Sequence, residues 1–256
     1  MIKRFLFLAL LLAPFQAFAW GPGGENNVNE TATAGDSCTG TLIHSWHMET
    51  DDVTTGTPAG CSTEDTSPTY QSGAARTTDQ FYDGASAIHG DGASSRAEFT
   101  TATDLVSDGK ISGRCYVGTG MYADAQYIWY NVLDTSNRVF LSFASLGDAA
   151  DILLLLTHTG GGTADTVNIP ASSGRAEGEW FYFEAGWIEE TAAGNDMYVK
   201  TCDADGTTNC VTAEADNDPA ASTGSNTVFA WGGASATVLT SDGYIDNGKV
   251  YNASGY

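Results

Sequence analysis

Basic residues are scarce in this sequence: only 10 of its 256 residues are Lys or Arg, against 32 Asp and Glu, so the formal net charge is −22. A surface with such an excess of carboxylates repels phosphate backbones and anionic lipid headgroups. We therefore expect no nucleic-acid partner and no attraction to an anionic membrane. The acidity suits either solubility in a salty habitat or the binding of a cation, and composition alone does not choose between them.

The sequence also lacks an apolar run of the roughly 20 residues that are needed to cross a bilayer. The apolar run at 5–15 follows Lys3 and Arg4 and precedes the small-residue sequence Ala17-Phe18-Ala19. This pattern is typical of a secretory signal peptide, here residues 1–19. We predict a secreted or periplasmic protein without membrane insertion, whose net charge falls from −22 to −24 when the two basic residues of the signal peptide are removed.

Sustained helical periodicity is absent as well. Short runs rich in Ile, Val, Tyr, Phe and Trp recur between clusters of Gly, Asp, Ser and Thr, which predicts an all-β sandwich or barrel. Residues 20–36 are rich in Gly, Asn and Glu and are predicted to be a flexible lead, so the domain spans 37–256. The alternation in EWFYFEAGW assigns four residues to the core face: Phe181, Phe183, Ala185 and Trp187.

Five cysteines in an exported chain favour disulfide pairing. Cys202 and Cys210 flank the turn-forming segment DADGTTN, so they are predicted to close the base of a hairpin. Cys38 and Cys61 bracket a segment rich in Thr, Gly and Asp and form the second predicted pair. Cys115 is left over in a strand-like run, and its position on the apolar face predicts a buried, unreactive thiol.

Three segments appear in a recognisable order: LIHSWHMETDD at 42–52, GASAIHGDGASSRAEFT at 84–100 and GYIDNGKVYNAS at 243–254. Their order resembles the laminin-G-like branch of the concanavalin A-like lectin and glucanase jelly rolls. The resemblance covers roughly 40–256. It implies a jelly-roll sandwich of two antiparallel sheets in which the last strand lies beside the first.

Catalytic motifs of related jelly rolls are incomplete in this sequence. The E-x-D-x-x-E strand of the glucanases is absent. Arg96-Ala97-Glu98-Phe99, Ile88-His89 and 182–186 (YFEAG) resemble the R-x-E-L, Q-I-H and Y-F-K-A-G motifs of jelly-roll alginate lyases, but Glu184 replaces the Lys and the His precedes the Arg motif. We also expect Glu184 in an acidic protein to repel a polyanionic substrate. The favoured interpretation is a non-catalytic binding or adhesion module for carbohydrate or cell-surface glycan, and the alternative is an alginate-lyase-like enzyme.

Aromatic residues that stack on sugar rings, together with polar residues that orient hydroxyl groups, are the expected binding residues of such a module. In QYIWYNVL, residues 126–133, both faces of the predicted strand carry aromatic side chains, so one of them is available for a groove. The predicted ligand-binding residues are Tyr127, Trp129, Asn131 and Tyr182.

Carboxylates are concentrated near both ends of the predicted domain. If the first and last strands are neighbours, Glu49, Asp51 and Asp52 approach Asp242 and Asp246. Like charges at such separations repel unless a cation or protons intervene. Ca²⁺ prefers carboxylate oxygens on loops, so we predict a structural calcium site with these ligands. The predicted ligands are Glu49, Asp51, Asp242 and Asp246.

Overall fold

The computed structural model describes twelve stretches of the chain: 42–46, 68–89, 95–100, 108–116, 126–134, 136–143, 152–170, 175–176, 178–188, 196–216, 228–232 and 243–251. The predicted signal peptide and lead, the predicted Cys38–Cys61 bridge and the acidic residues Glu49, Asp51, Asp52 and Asp242 lie outside these residues. No helix within the described stretches is long and apolar enough to cross a membrane.

Strands account for most of the described residues, as the short β-branched and aromatic runs predict. In chain order they are β1 (Leu42–Trp46), β2 (Thr69–Gln71), β3 (Ala75–Thr77), β4 (Ala87–His89), β5 (Arg96–Thr100), β6 (Asp108–Tyr116), β7 (Gln126–Asp134), β8 (Asn137–Phe143), β9 (Ile152–Gly160), β10 (Thr163–Pro170), β11 (Trp180–Ile188), β12 (Met197–Asp203), β13 (Val211–Ala215), β14 (Val228–Gly232) and β15 (Tyr244–Tyr251).

Two antiparallel sheets form from these strands. The larger sheet has eight strands in the order β13-β12-β11-β6-β15-β4-β3, with β1 also paired to β15, and the smaller has seven in the order β10-β9-β8-β7-β14-β5-β2. The predicted fold class, an all-β jelly-roll sandwich of two antiparallel sheets, is confirmed. The last strand does lie beside the first, since Tyr251 pairs with Leu42 and Gly248 with Trp46.

The core lies between the inner faces of the two sheets. The predicted core face of β11 is confirmed, because Phe181, Phe183, Ala185 and Trp187 are all buried. Trp187 meets Trp129 of the opposite sheet with ring centroids 5.3 Å apart. Burial of large aromatic side chains removes much apolar surface from water and is the main stabilising contribution to such a sandwich.

Two glycines of β6 make room for the aromatic side chains of β11. A Cβ atom on Gly113 would lie 2.8 Å from the Phe183 ring, and one on Gly109 would lie 2.5 Å from the Trp187 ring. Both separations are shorter than carbon atoms tolerate, so any larger residue would push the rings out of the core. The sequence GKISG in β6 therefore fixes how β6 and β11 pack.

The cysteines follow the prediction where the structure describes them. Cys202 and Cys210 form a disulfide, and Cys115 is a free, buried thiol on β6. Burial raises the pKa of the Cys115 thiol. Since the thiolate is the reactive form, Cys115 is a core residue and not a nucleophile.

Candidate functional site

The outer face of the larger sheet carries polar side chains in register across four strands. These side chains alternate along each strand with core residues, so they point away from the core, and two of them, Ser112 and Tyr198, are themselves largely covered. Glu184 on β11 pairs with Lys200 on β12 and with Ser112 on β6, and Ser112 pairs in turn with Lys249 on β15. One straight row therefore crosses four strands.

A second row lies one pair further along the strands. Gly186 on β11 pairs with Tyr198 on β12 and with Lys110 on β6, and Lys110 pairs with Tyr251 on β15. Because Gly186 has no side chain, Tyr198 and Lys110 have room between them. The side chains of these two rows are called the polar floor below: Lys110, Ser112, Glu184, Tyr198, Lys200, Lys249 and Tyr251.

Lys249 reaches the polar floor because β15 contains a bulge. Three residues of β6, from Arg114 to Ser112, face four residues of β15, from Asp246 to Lys249. Asn247 adopts a left-handed φ of 52° within this bulge, a conformation that Asn tolerates better than most residues. In a regular strand, two residues three positions apart such as Asp246 and Lys249 would point to opposite faces.

Glu184 lies at the centre of the polar floor and is held by two tyrosine hydroxyls. Tyr182 donates to its Oε2 at 2.7 Å, and Tyr198 donates to its Oε1 at 2.9 Å. Burial, followed by the negative charge of Glu184, raises the pKa of Tyr182. The hydroxyl of Tyr182 therefore stays protonated as a donor, and the carboxylate keeps a fixed orientation.

Two lysines of the floor lie over tyrosine rings. Lys110 Nζ is 4.5 Å from the centroid of Tyr251, and Lys200 Nζ is 5.9 Å from the centroid of Tyr182. Cation–π contacts of this kind hold the ammonium groups in place while leaving them hydrated. Neither lysine forms an ion pair with a described residue, and both oxygens of the nearby Glu184 accept from tyrosines.

A cluster of rings borders the polar floor on one side. Trp180, Tyr116, Tyr244 and His89 are paired in sequence across β11, β6, β15 and β4. Tyr116 meets Trp180 and Tyr244 edge to face, with centroids 5.7 Å apart in both cases. His89 stacks on Tyr244 at 4.8 Å. These rings pack on one another, so the cluster acts as a small second core on the outside of the sheet.

Asp246 fastens a loop over this cluster of rings. The carboxylate is fully buried; its Oδ2 accepts from the backbone N–H groups of Tyr82 and Asp83 at 2.9 and 3.0 Å, and its Oδ1 accepts from Asn247 N–H at 2.7 Å. Tyr82 then covers Trp180, with centroids 6.1 Å apart. Backbone hydrogen bonds of this kind stabilise a buried charge without a cation, so repulsion at Asp246 gives no reason for a metal there.

The remaining calcium ligands, Glu49, Asp51 and Asp242, lie outside the described residues. Within the described part of the chain, no group of three or more His, Cys, Asp or Glu residues is arranged to hold a metal ion. The calcium site therefore stays a prediction, with Asp246 better explained as the anchor of the loop at 82–83.

The disulfide-bonded hairpin at 202–210 covers the Tyr182 ring. A Cβ atom on Gly206 would lie 3.4 Å from that ring, which shows how closely the hairpin backbone packs on it. Arg114 Nε donates to the carbonyl oxygen of Ala204 at 2.8 Å. Backbone hydrogen bonds from Thr207 and Thr208 lower the pKa of Asp205 to about 2, so this carboxylate caps the turn. The hairpin therefore lies beside the polar floor.

The predicted ligand-binding residues do not form one site. Tyr127 pairs with Ser142 but Trp129 pairs with Leu141, so Ile128 is an extra residue in β7 and the strand alternation shifts there. Tyr127 therefore points outward, where it meets Phe140 at 4.9 Å, whereas Trp129 points into the core.

Trp129 and Asn131 are both 0% exposed, which corrects their prediction as sugar-contacting residues. Trp129 packs on Trp187, and Asn131 Nδ2 donates to the carbonyl oxygen of Val228 at 3.0 Å. Tyr182 lies on the outer face of the larger sheet and Tyr127 on that of the smaller sheet. A single ligand on one face cannot contact both.

The residues that resemble the alginate-lyase motifs also lie on two different sheets. Arg96 and Glu98 lie on β5 of the smaller sheet and form an ion pair at 3.1 Å. His89 and Tyr182 lie on the larger sheet. The arginine therefore cannot neutralise a carboxylate that is bound near Tyr182, and the expected catalytic arrangement is not formed by these residues.

Sequence reasoning missed the lysines of the polar floor. Lys110 and Lys200 occupy outward positions that strand alternation could have indicated. The pairing of Glu184 with Lys200 and Ser112 depends instead on the long-range register between strands. The bulge before Lys249 leaves no reliable alternation signal in the sequence.

The fold and this geometry can be compared with known proteins. No protein-family profile and no curated protein matches the sequence. The structure is similar to the binding domain of botulinum neurotoxin serotype D, with a TM-score of 0.56 and 8% identity over 84% of this chain and 49% of that chain. The chain thus spans about half the length of that binding domain.

Two further solved structures are similar to this chain in fold. The receptor binding domain of a botulinum neurotoxin C/D mosaic serotype has a TM-score of 0.53 and 6% identity, over 84% of this chain and 48% of that chain. Domain 4 of a GH43 extracellular arabinanase from Geobacillus stearothermophilus, in complex with arabinotriose, has a TM-score of 0.52 and 14% identity, over 83% of this chain and 92% of that chain. At these identities the similarity shows a shared β-sandwich fold.

Proposed function

We propose that this protein is an exported, non-catalytic carbohydrate-binding module and that its polar floor contacts the glycan. The observation that carries the proposal is the central Glu184, whose two oxygens are fixed by Tyr182 and Tyr198. Sugars are recognised by a few fixed polar groups combined with ring surfaces. The floor offers both, since Ser112 and the lysines surround the carboxylate and Tyr251 borders it.

The fold gives a second, weaker reason to test carbohydrate first. A β-sandwich of this kind is the domain of the arabinanase that was crystallised with arabinotriose, and it is also found in the receptor binding domain of the mosaic neurotoxin. Such likeness is an analogy at the level of the fold, because unrelated functions share folds. It supports a binding module more than a specific ligand.

Export is part of the proposal. The Cys202–Cys210 disulfide persists in oxidising compartments, and the first 19 residues have the pattern of a signal peptide. The laminin-G-like assignment within the wider superfamily also remains a proposal. It is motivated by the order of the sequence motifs and by the pairing of the first and last strands.

Affinity electrophoresis against a panel of polysaccharides tests the proposed function. The panel contains arabinan, β-glucan, galactan, alginate, polygalacturonate and a sulfated galactan. We expect retardation by at least one polysaccharide and a loss of at least tenfold in affinity for Glu184→Ala, since the centre of the floor is removed. Tyr127→Phe on the other sheet is the matched control and should bind as the unmodified protein does.

Two results would overturn the proposal. If no polysaccharide retards the protein, or if Glu184→Ala binds like the unmodified protein, the floor is not a carbohydrate site. Release of reducing ends or unsaturated products during incubation with the same panel would show that the protein is an enzyme and not a non-catalytic module.

A further inference from the structure

We infer that the glycan bound at the polar floor carries acidic groups, either carboxylate or sulfate. The inference rests on the proposed function and names the ligand class for the same site. The side chains of the floor carry more positive than negative charges, whereas the chain as a whole is strongly negative.

Basic residues are concentrated on one face of the molecule. Of the 10 Lys and Arg residues, Lys3 and Arg4 belong to the predicted signal peptide, so eight remain in 20–256. Half of these eight lie on the outer face of the larger sheet: Lys110, Arg114, Lys200 and Lys249. Three of them belong to the polar floor, where the carboxylate is Glu184.

The carboxylates of this face stand mostly at its edges or are bonded within the protein. Glu184 and Asp246 each accept hydrogen bonds on both oxygens. Glu214 is exposed on the edge strand β13, opposite Tyr198. The centre of the floor therefore presents the ammonium groups of Lys110 and Lys200 beside one carboxylate whose two oxygens both accept hydrogen bonds, and Lys249 makes a further contact within the protein.

The spacing of the ammonium groups suits a polymer with repeated charges. Lys200 and Lys249 are three strands apart in the same row, which is about 14 Å at a strand spacing of about 4.8 Å. Lys110 lies one row away, roughly 7 Å along the strands. A polysaccharide presents more than one acidic group over such a distance, so two or three lysines can be engaged at once.

The ring contacts of the lysines keep their charges on the floor. Lys110 is held over Tyr251 and Lys200 over Tyr182, so both long side chains lie along ring surfaces, and both residues are partly exposed. Neither ammonium group is neutralised by an ion pair with a described residue. A bound carboxylate or sulfate would add a charge-assisted hydrogen bond to each of them.

The overall charge of −22 does not prevent such binding. At physiological ionic strength the Debye length is about 8 Å, so carboxylates on distant surfaces are largely screened from a ligand on the floor. Direct contacts between the lysines and an acidic group are much shorter than this length. The local balance of charge on the floor therefore decides the sign of the interaction.

Isothermal titration with matched pairs of glycans tests the inference. Polygalacturonate is compared with its carboxyl-reduced galactan, and a sulfated galactan with its desulfated form. We expect at least one acidic member to bind at least tenfold more tightly than its neutral partner. The double variant Lys110→Gln/Lys200→Gln should lose at least tenfold for the acidic glycan, while Arg138→Gln, on the outer face of the smaller sheet, should not change it.

The outcomes separate this inference from the proposed function. Equal or tighter binding of both neutral glycans would overturn the acidic ligand class while leaving a carbohydrate-binding module. Binding of none of the four glycans would count against the acidic ligand class, whereas the proposed function is overturned only if no member of the six-polysaccharide panel binds. An equal loss in Arg138→Gln would show that the effect is not specific to the floor. Preference for the sulfated or for the carboxylated glycan supports the inference in either case and identifies the acidic group.

Discussion

The two outer faces of the sandwich differ in how their charged side chains are used. On the smaller sheet, Arg96 pairs with Glu98 at 3.1 Å, and Arg138 lies 5.5 Å from the centroid of Phe140, which also contacts Tyr127. On the larger sheet, Lys110 and Lys200 contact rings but no described carboxylate. Both faces come from the same strand alternation, so the difference between them lies in the side chains that the register brings together.

This comparison is the reason for proposing the larger sheet as the recognition face. On the smaller sheet, Arg96 is neutralised by a carboxylate, whereas Arg138 contacts a ring, as Lys110 and Lys200 do on the larger sheet. The larger sheet keeps ammonium groups around a fixed carboxylate. Fixed charges that the protein does not neutralise favour a charged ligand, whereas neutralised ones contribute mainly to packing.

The largest loss of stability is expected for substitutions in β7, where the bulge places Trp129 on the inner face and Tyr127 on the outer face. Trp129→Ala should lower the free energy of unfolding by about 3–5 kcal/mol, because it leaves a large cavity between the sheets. Tyr127→Ala, two residues earlier and on the outer face, should cost about 1 kcal/mol or less. Urea denaturation of both variants measures the difference, and similar values for the two would contradict the assigned faces of β7.

Asp246 and Asp134 provide a comparison of buried and exposed carboxylates. Asp134, at the end of β7 in the smaller sheet, accepts from the N–H groups of Ser136 and Asn137 at 2.7 and 2.9 Å but is exposed. Asp246→Ala should cost about 3 kcal/mol because it leaves buried N–H groups without an acceptor, whereas Asp134→Ala should cost about 1 kcal/mol.

Thermal melting with hydrogen exchange checks this prediction for both aspartates. In Asp246→Ala the amides of Tyr82 and Asp83 should exchange faster than in the unmodified protein. A larger loss of stability for Asp134→Ala than for Asp246→Ala would show that the loop at 82–83 is not fastened by Asp246.

The hairpin that covers Tyr182 should depend on its disulfide. Replacing both Cys202 and Cys210 by Ala should cost about 2–3 kcal/mol, the value expected for closing a short loop in the unfolded chain. The free energy of glycan binding by the floor should change less than the free energy of unfolding, because Glu184 remains held by Tyr198. Denaturation and affinity electrophoresis of the same variant measure the two effects. A complete loss of binding in a folded variant would place the hairpin itself in the site.

The smallest effect is expected in alkaline solution. Burial and the charge of Glu184 raise the pKa of Tyr182, and burial raises that of Tyr130 on the smaller sheet. In the unfolded chain, tyrosine hydroxyls ionise near pH 10. The stability linked to the raised pKa values is therefore fully present below that pH and is lost as the pH rises further. Tyr182→Phe should reduce this loss. Denaturation between pH 8 and pH 11 checks it, and an unchanged slope for Tyr182→Phe would contradict the raised pKa.

Strand alternation predicted those parts of the fold that depend on local pattern. The core face of β11, the buried Cys115 and the Cys202–Cys210 hairpin follow from short stretches of sequence. The face of Trp129 was wrong because Ile128 is an extra residue in β7, and bulges leave little trace in composition. Asp246 was predicted to hold a metal. Its contact with the backbone of Tyr82 and Asp83 could not be predicted, because these donors lie more than 160 residues away in the sequence.

The candidate site was largely hidden in the sequence for the same physical reason. Tyr182 was identified, and its partner Glu184 lies two residues away on the same strand, but the other side chains of the polar floor come from β6, β12 and β15 through pairings that are distant along the chain. Lys200 and Ser112 flank Glu184 only once β12 and β6 are placed on either side of β11. Net charge predicts no acidic ligand, whereas the inferred acidic ligand depends on how charges are distributed between faces, which a total over the chain does not report.

The most direct test of the account maps an acidic glycan onto the two outer faces. An oligogalacturonate or a sulfated galactan oligosaccharide is titrated into ¹⁵N-labelled protein, and amide chemical shifts are followed by NMR. We expect the largest changes in β6, β11, β12 and β15 around Ser112, Glu184, Lys200 and Lys249. Changes concentrated instead in β7 and β8, around Tyr127 and Phe140, would contradict the assignment of the polar floor as the binding site.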